Sequence, residues 1–98
     1  MILKPVHRMG DCNTADGCIT TIPQSTVYVN KRLAVVDGSI GTSHDPCPAP
    51  PIHCSGVWVT AGGSITVFIE GIPVNGTGDV DTCGHARALG SLNVNVVT

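Results

Sequence analysis

One short motif occurs three times in this chain, and this repetition constrains the fold more than any other feature of the sequence. Residues 5–11 read PVHRMGD and residues 73–79 read PVNGTGD, so both copies begin with Pro-Val and end with Gly-Asp. Residues 33–39, LAVVDGS, form a degenerate third copy in which a small apolar pair precedes a glycine. Three is the smallest number at which similar units begin to bury each other's faces. The repetition therefore predicts three similar units that fold against one another.

Each copy of the motif is followed by a short valine-containing segment that is introduced by serine and typical of a β-strand. These segments are STVYVN, SITVFIEG and SLNVNV, at residues 25–30, 64–71 and 91–96. The first two run into a polar turn, Asn30-Lys31 or Glu70-Gly71, and a second strand follows, which is the pattern of a β-hairpin. Residues 57–59 predict a further strand, and no stretch shows the periodicity of an amphipathic helix. We therefore expect an all-β fold of short hairpins around a pseudo-threefold axis, tapered like a cone.

Length and composition bound the remaining possibilities. A chain of 98 residues forms one small domain, so we assign residues 1–98 to a single domain. Only 12% of the residues are charged and only 3% are aromatic, which favours a narrow interior filled with small branched side chains. A net charge of −2 excludes the basic balance of a nucleic-acid-binding protein. No apolar run is long enough for a signal peptide or a membrane span, so we expect synthesis in a reducing, cytosol-like compartment or export by a route that reads no N-terminal signal.

Five cysteines and four histidines in so short a chain indicate a metal site, because the odd number of cysteines cannot all pair. Zinc is usually held by four histidine or cysteine side chains, and thiolate with imidazole suits zinc better than iron. Disulfides between Cys12 and Cys18 or between Cys47 and Cys54 are the competing use of those thiols. The candidate ligands are His7, Cys12, Asp16, Cys18, His44, Cys47, His53, Cys54, Cys83 and His85.

The positions of the histidines narrow this set. His44 and His53 flank the proline-rich part of an insertion in the middle unit, TSHDPCPAPPIHC at residues 42–54, and a stiff loop can present two imidazoles together. His85 follows Cys83 by two residues, so both side chains face the same way on an extended segment. That parallel arrangement argues against a Cys/His hydrolase, whose nucleophile and base face each other. His7 lies inside the repeat and is expected to be structural. We therefore expect no enzyme activity and no small-molecule substrate.

The repeated small-apolar pair with Gly-Asp, the Ser-x-x-Val strands and the placement of His and Cys resemble the PAAR-repeat proteins. The resemblance covers nearly the whole chain, although the Pro-Ala-Ala-Arg signature itself is replaced by Pro-Val-His-Arg and Pro-Val-Asn-Gly. It implies a cone-shaped β domain whose base docks on a trimeric β-helical spike, VgrG-like or from a phage tail, with one tip per trimer. It also implies a structural zinc ion near the vertex and contact with the target cell membrane when the assembly fires.

The resemblance also implies ligands: both histidines of the insertion, His44 and His53, and Cys83 in Thr-Cys-Gly. Family members often place a histidine four or five residues after the first Gly-Asp, where this chain has Ala15 and Asp16. His85, Cys12 and Asp16 are therefore the candidates for the fourth ligand, and we rank His85 first.

The function expected from these features is a metal-stabilised spike tip that sharpens a contractile injection machine for membrane piercing. The machine is a phage tail baseplate or a type VI secretion system, and the looser motif wording resembles the phage members more. The tip would be assembled in the bacterial cytoplasm and delivered to the target envelope. The alternative is a small zinc-binding adaptor that bridges proteins and pierces nothing.

Overall fold

The structure is a computed structural model that describes residues 3–45, 47–49 and 51–97. Within these residues the regular structure is eight short strands and one turn of 3₁₀ helix, with no α-helix, so the predicted all-β class is confirmed. No helix among them is long and apolar enough to cross a membrane. The strands are β1 (Leu3–Pro5), β2 (Ile19–Thr21), β3 (Tyr28–Val29), β4 (Arg32–Leu33), β5 (Ile40–Gly41), β6 (Phe68–Ile69), β7 (Ile72–Pro73) and β8 (Asn95–Val97), and the 3₁₀ turn is Pro51–His53.

The strands form four antiparallel pairs, β1 with β8, β2 with β5, β3 with β4 and β6 with β7. The hairpins β3–β4 and β6–β7 turn at the predicted sites, Asn30-Lys31 and Glu70-Gly71. Both residues of each turn have positive φ, 54° and 69° in the first and 53° and 79° in the second. Turns of this twist match the right-handed twist of the flanking strands, which is why they close two-residue hairpins. The pair β1–β8 joins the two ends of the chain, with Lys4 opposite Val96.

The middle residues of the three motif copies meet in a closed ring of backbone hydrogen bonds. The N–H of His7 donates to the carbonyl of Asn75 at 3.1 Å, that of Asn75 to Val35 at 2.9 Å, and that of Val35 to His7 at 2.9 Å. All three residues are fully buried. Because each residue both donates and accepts, the ring satisfies buried backbone groups that no long strand is available to pair.

The apolar core has two parts. The first is built almost entirely from the small branched side chains that the composition predicted: Val6, Val29, Ala34, Val36, Val74 and Val96. The second contains Ile19, Val35 and Trp58. Trp58 is fully buried, so the interior accommodates one large aromatic ring at this end.

The strand predicted at residues 57–59 is wrong. Val57 lies in a turn, in which its N–H donates to the carbonyl of Cys54, and only Val59 makes an isolated bridge, to Ile40. The segment is extended only where it packs Trp58 into the core.

Candidate metal centre

The structure brings together His44, His53 and His85, three of the four residues that the sequence analysis ranked as ligands, and the fourth, Cys83, contacts His44. One ring nitrogen from each of the three histidines lies within 4.8 Å of the other two, a spacing at which they could hold one metal ion. Nε2 of His44 is 3.1 Å from Nδ1 of His53 and 3.6 Å from Sγ of Cys83. Cys83 is the one cysteine that is not in a disulfide. Three imidazoles and one free thiol form a donor set that suits tetrahedral zinc.

An unpaired buried nitrogen also fits a cation at this place. Nε2 of His85 is buried and makes no hydrogen bond to any described residue. An unsatisfied buried polar atom is costly, about 1–3 kcal/mol, so such atoms call for a partner. Burial, the largest cause, lowers the pKa of His44; a hydrogen bond with the backbone of Thr42 opposes this shift, and the neighbouring His85 and His53 add to it. The low pKa favours the neutral imidazole, which is the form that binds metal.

Half of the cluster is carried by the loop that follows β5. His44 lies three residues after that strand and His53 ends the 3₁₀ turn. The N–H of His44 donates to the carbonyl of His53 at 3.1 Å, and a disulfide joins Cys47 to Cys54. Both links close the loop at its base, so the two imidazoles come together although they are nine positions apart in the sequence.

The other half is carried by residues 81–87, which make a tight turn. The N–H of Asp81 donates to the carbonyl of His85 at 2.8 Å, and Gly84 has the positive φ of 94° that the turn requires. Asp81 and Arg87 form a fully buried ion pair directly beneath the turn. Burial, the largest cause, raises the pKa of Asp81 and lowers that of Arg87, while each group's charge opposes the shift of the other.

Trp58 connects these two halves. Its ring lies edge-on to His44, with centroids 5.2 Å apart, and the guanidinium of Arg87 stacks over its face at 5.2 Å. Its Nε1–H donates to the carbonyl of Thr42 at 3.1 Å. Two glycines make room for this packing: a Cβ on Gly41 would lie 2.6 Å from the Trp58 ring, and one on Gly17 would lie 2.6 Å from Nδ1 of His44.

The other candidate ligands lie elsewhere or are already bonded. Cys12 is joined to Cys18 in a disulfide, so its sulfur is not free to act as the fourth ligand. Cys47 and Cys54 form the second disulfide. The carboxylate of Asp16 is not part of the histidine cluster.

His7 has the structural role expected of it. It is fully buried, and NH1 of Arg87 lies 2.9 Å from its Nε2. The same Nε2 lies 3.0 Å from the carbonyl of Asp11, and Nδ1 lies 2.5 Å from the carbonyl of Leu89.

Sequence reasoning missed the residues that support the cluster, namely Trp58, Asp81 and Arg87. A signal was present, because the only tryptophan follows the insertion and two opposite charges flank Cys83 and His85 in a chain with few charges.

The close contact of Cys83 with His44 resembles a nucleophile and its base. No cavity is found among the described residues.

A scan against protein-family models and a comparison with curated proteins find no match to this chain.

Proposed function

We propose that this protein is a metal-stabilised spike tip, which caps and sharpens the trimeric β-helical spike of a contractile injection machine for membrane piercing. The machine in this proposal is a phage tail baseplate or a type VI secretion system. The observation that carries the proposal is the closed ring of hydrogen bonds through His7, Val35 and Asn75. A ring of this kind is what one chain needs to imitate the symmetry of a trimeric partner.

Further hydrogen bonds support a pseudo-threefold arrangement of the three motif copies. Two residues after each ring residue, an N–H donates to a carbonyl at the start of the next copy, in the pairs Met9 to Leu33, Asp37 to Pro73 and Thr77 to Pro5. In each of the three strand segments, a buried side chain accepts the N–H of the valine three residues later: Gln24 from Val27, Ser64 from Val67 and Ser91 from Val94. We propose that these units wrap one axis and taper into a cone.

Exposed apolar side chains at matching positions supply the docking base in this proposal. Val27, Val67 and Val94 occupy the same place in the three strand segments and are 39%, 37% and 37% exposed. Exposed Tyr28 and Phe68 follow the first two of them, and Ile65 and Leu92 precede the last two. A contiguous apolar patch on a small domain marks an interaction surface, and unpaired strand edges seek a β partner. The blunt end of a β-helical trimer offers both.

The metal centre has a mechanical task in this proposal. Zinc held by His44, His53, Cys83 and His85 would tie the proline-rich loop to the turn at residues 81–87, near the vertex of the cone. A closed four-ligand site contributes on the order of 10 kcal/mol of apparent binding energy to folding. A vertex cross-linked in this way resists deformation when force concentrates on it. The chain's own residues perform no chemical step.

Co-expression with a trimeric β-helical spike protein from the same genome tests the proposal. Native mass spectrometry should show one copy of this chain per spike trimer. The double variant V67D/V94D should lose the complex because it places charge on the apolar base. The matched control V57D/V80D changes two valines that are exposed to a greater degree, 54% and 51%, but lie outside the three strand segments, and it should keep the complex.

Two results would overturn the proposal. One is a chain that stays monomeric with such spikes and binds another protein through its histidine end, which would instead support the zinc-binding adaptor. The other is a complex that V67D/V94D and V57D/V80D weaken equally, which would place the contact outside the base.

A further inference from the structure

The loop that carries His44 and His53 contains no apolar anchor among its described residues. From Asp45 to Val57 every described side chain except His53 is exposed or half-buried, including the apolar Ile52 and Val57. Hydrophobic burial, which orders most of a domain, is therefore absent from this part of the loop. Its order must come from other links.

The Cys47–Cys54 disulfide is the strongest of those links. It joins the residue next to His53 to a residue three positions after His44, so it closes the same loop that the two imidazoles close. Hydrogen bonds from the N–H of Cys47 to the carbonyl of His44 and from the N–H of Cys54 to Pro51, both 2.9 Å, continue the closure on each side. Without the disulfide, the loop between the two histidines would be held by a few backbone bonds that face water.

The opposite half of the cluster needs no such link. The turn that carries Cys83 and His85 rests on the buried Asp81–Arg87 pair and on a hydrogen bond from the N–H of Thr82 to the carbonyl of Val59 at 3.0 Å. The second disulfide, Cys12–Cys18, also differs, because the backbone already pairs these two residues as a bridge. Backbone bonds from Asn13 to Gly17 and from Ile19 to Asp11 flank that bridge. Loss of the Cys47–Cys54 disulfide therefore loosens the loop that carries two ligands, whereas the Cys12–Cys18 loop, whose Gly17 packs against His44, keeps its backbone hydrogen bonds without its disulfide.

We infer that the Cys47–Cys54 disulfide is a positioning element of the metal centre and makes its metal affinity depend on the redox state of the chain. Reduction by a dithiol transfers two electrons and two protons to the sulfur pair: the S–S bond breaks, two thiols form, and the dithiol closes into its own cyclic disulfide. In the opened loop, metal binding must also overcome the conformational entropy that is lost when His44 and His53 are brought together. This inference rests on the proposed metal centre.

The redox state of a cellular compartment decides whether this disulfide persists, and so it decides how tightly the centre binds metal there. Thiols stay reduced in a bacterial cytosol and oxidise in the periplasm or outside the cell. The centre therefore holds metal weakly where the chain is made and tightly where an oxidising environment has closed the loop.

The affinity for Zn²⁺ alone tests this inference, measured by competition with a chromophoric chelator on three chains. These are the oxidised wild type, C47S/C54S and the matched control C12S/C18S, which removes the other disulfide. Closure of a loop of this length corresponds to a change of about 10- to 100-fold. We expect C47S/C54S to bind Zn²⁺ about 10- to 100-fold more weakly than the wild type and C12S/C18S to stay within about threefold of it.

Three outcomes count against the inference. An affinity of C47S/C54S within threefold of the wild type would overturn it, and so would equal weakening by both double variants. If C47S/C54S does not fold, the wild type is measured before and after reduction by a dithiol, with the dithiol removed before zinc is added. Unchanged or tighter binding after reduction would then overturn it. An oxidised wild type that binds no Zn²⁺ would instead overturn the proposed metal centre itself, a result distinct from the other three.

Discussion

Two regions of this molecule are ordered by different interactions. We call them the repeat end, where the three motif copies meet, and the histidine end, around His44, His53 and His85. Where the three motif copies meet, small apolar side chains pack together and a closed ring of backbone hydrogen bonds satisfies the buried amides. Around the histidine cluster, the chain instead buries Trp58, the Asp81–Arg87 ion pair and the imidazoles of His44 and His53, and it closes loops with two disulfides. A domain of this size has too little apolar surface to order every loop by burial. The comparison teaches that repetition orders one end and cross-linking orders the other.

Replacing Trp58 by alanine should have the largest effect. The ring is fully buried against both His44 and Arg87, so its loss leaves a cavity and removes the contact between the two halves of the cluster. We expect W58A to lose about 3–5 kcal/mol of unfolding free energy in urea titrations. W58F keeps a ring beside His44 and loses the hydrogen bond to Thr42, so it should lose less. A loss below about 1 kcal/mol in W58A, on the scale of a surface substitution, would show that the histidine end is not packed as described.

Acid should weaken the fold through His7, which lies at the boundary between the two ends. Burial, the largest cause, and the charge of Arg87 lower the pKa of His7 to about 4 from 6.5. The unfolded chain therefore takes up this proton near pH 6.5, while the folded chain does so only near pH 4. His7 therefore makes its full contribution to the free energy of unfolding above pH 6.5. This contribution, about 3 kcal/mol, is lost as the pH falls from 6.5 to 4.

The variant H7N isolates this contribution, because asparagine already occupies the matching ring position as Asn75. Measured with a chelator present, the unfolding free energy of the wild type relative to H7N should fall by about 3 kcal/mol between pH 7 and pH 4. A difference that does not change with pH would show that His7 takes up its proton at the same pH in the folded and unfolded chains, in conflict with its burial beside Arg87.

A valine at the repeat end should affect stability and leave metal binding intact. Val36 is fully buried in the valine cluster, and V36A removes two methyl groups there. We expect a loss of about 2 kcal/mol, equal with and without metal, because this end holds none of the proposed ligands. Zn²⁺ titration of the folded variant should give the wild-type affinity. A weaker Zn²⁺ affinity in V36A would mean that packing at the repeat end affects the metal centre and that the two ends are coupled.

Much of the repeat end could be predicted from the sequence because its signals are local. The polar pairs Asn30-Lys31 and Glu70-Gly71 lie between valine-rich runs and predict two turns, and both turns occur at these positions. The predicted all-β class is confirmed as well. The strand expected at residues 57–59 failed because valines flank a tryptophan whose burial depends on distant partners. Local β propensity does not report such tertiary packing.

At the histidine end, the sequence predicted the candidate ligands but not the residues that hold them in place. Spacing and resemblance pointed to His44, His53, Cys83 and His85; the structure groups the three histidines and places Cys83 3.6 Å from His44. The residues that hold them there gave no readable pattern. Asp81 and Arg87 look like solvated charges in a sequence, and only the folded chain shows that they pair in the core. The pairing of four cysteines stayed open for the same reason, since metal ligation and disulfides use the same residue types.

Metal content tests the central claim most directly. The wild-type chain, expressed in zinc-supplemented medium and purified without chelator, should contain about one zinc per chain by elemental mass spectrometry if four side chains close a single structural site. The double variant H44A/H53A should lose this metal, and H7N, which changes a buried histidine outside the cluster, should keep it. A wild type without bound metal, or an H44A/H53A variant with full metal content, would contradict the account.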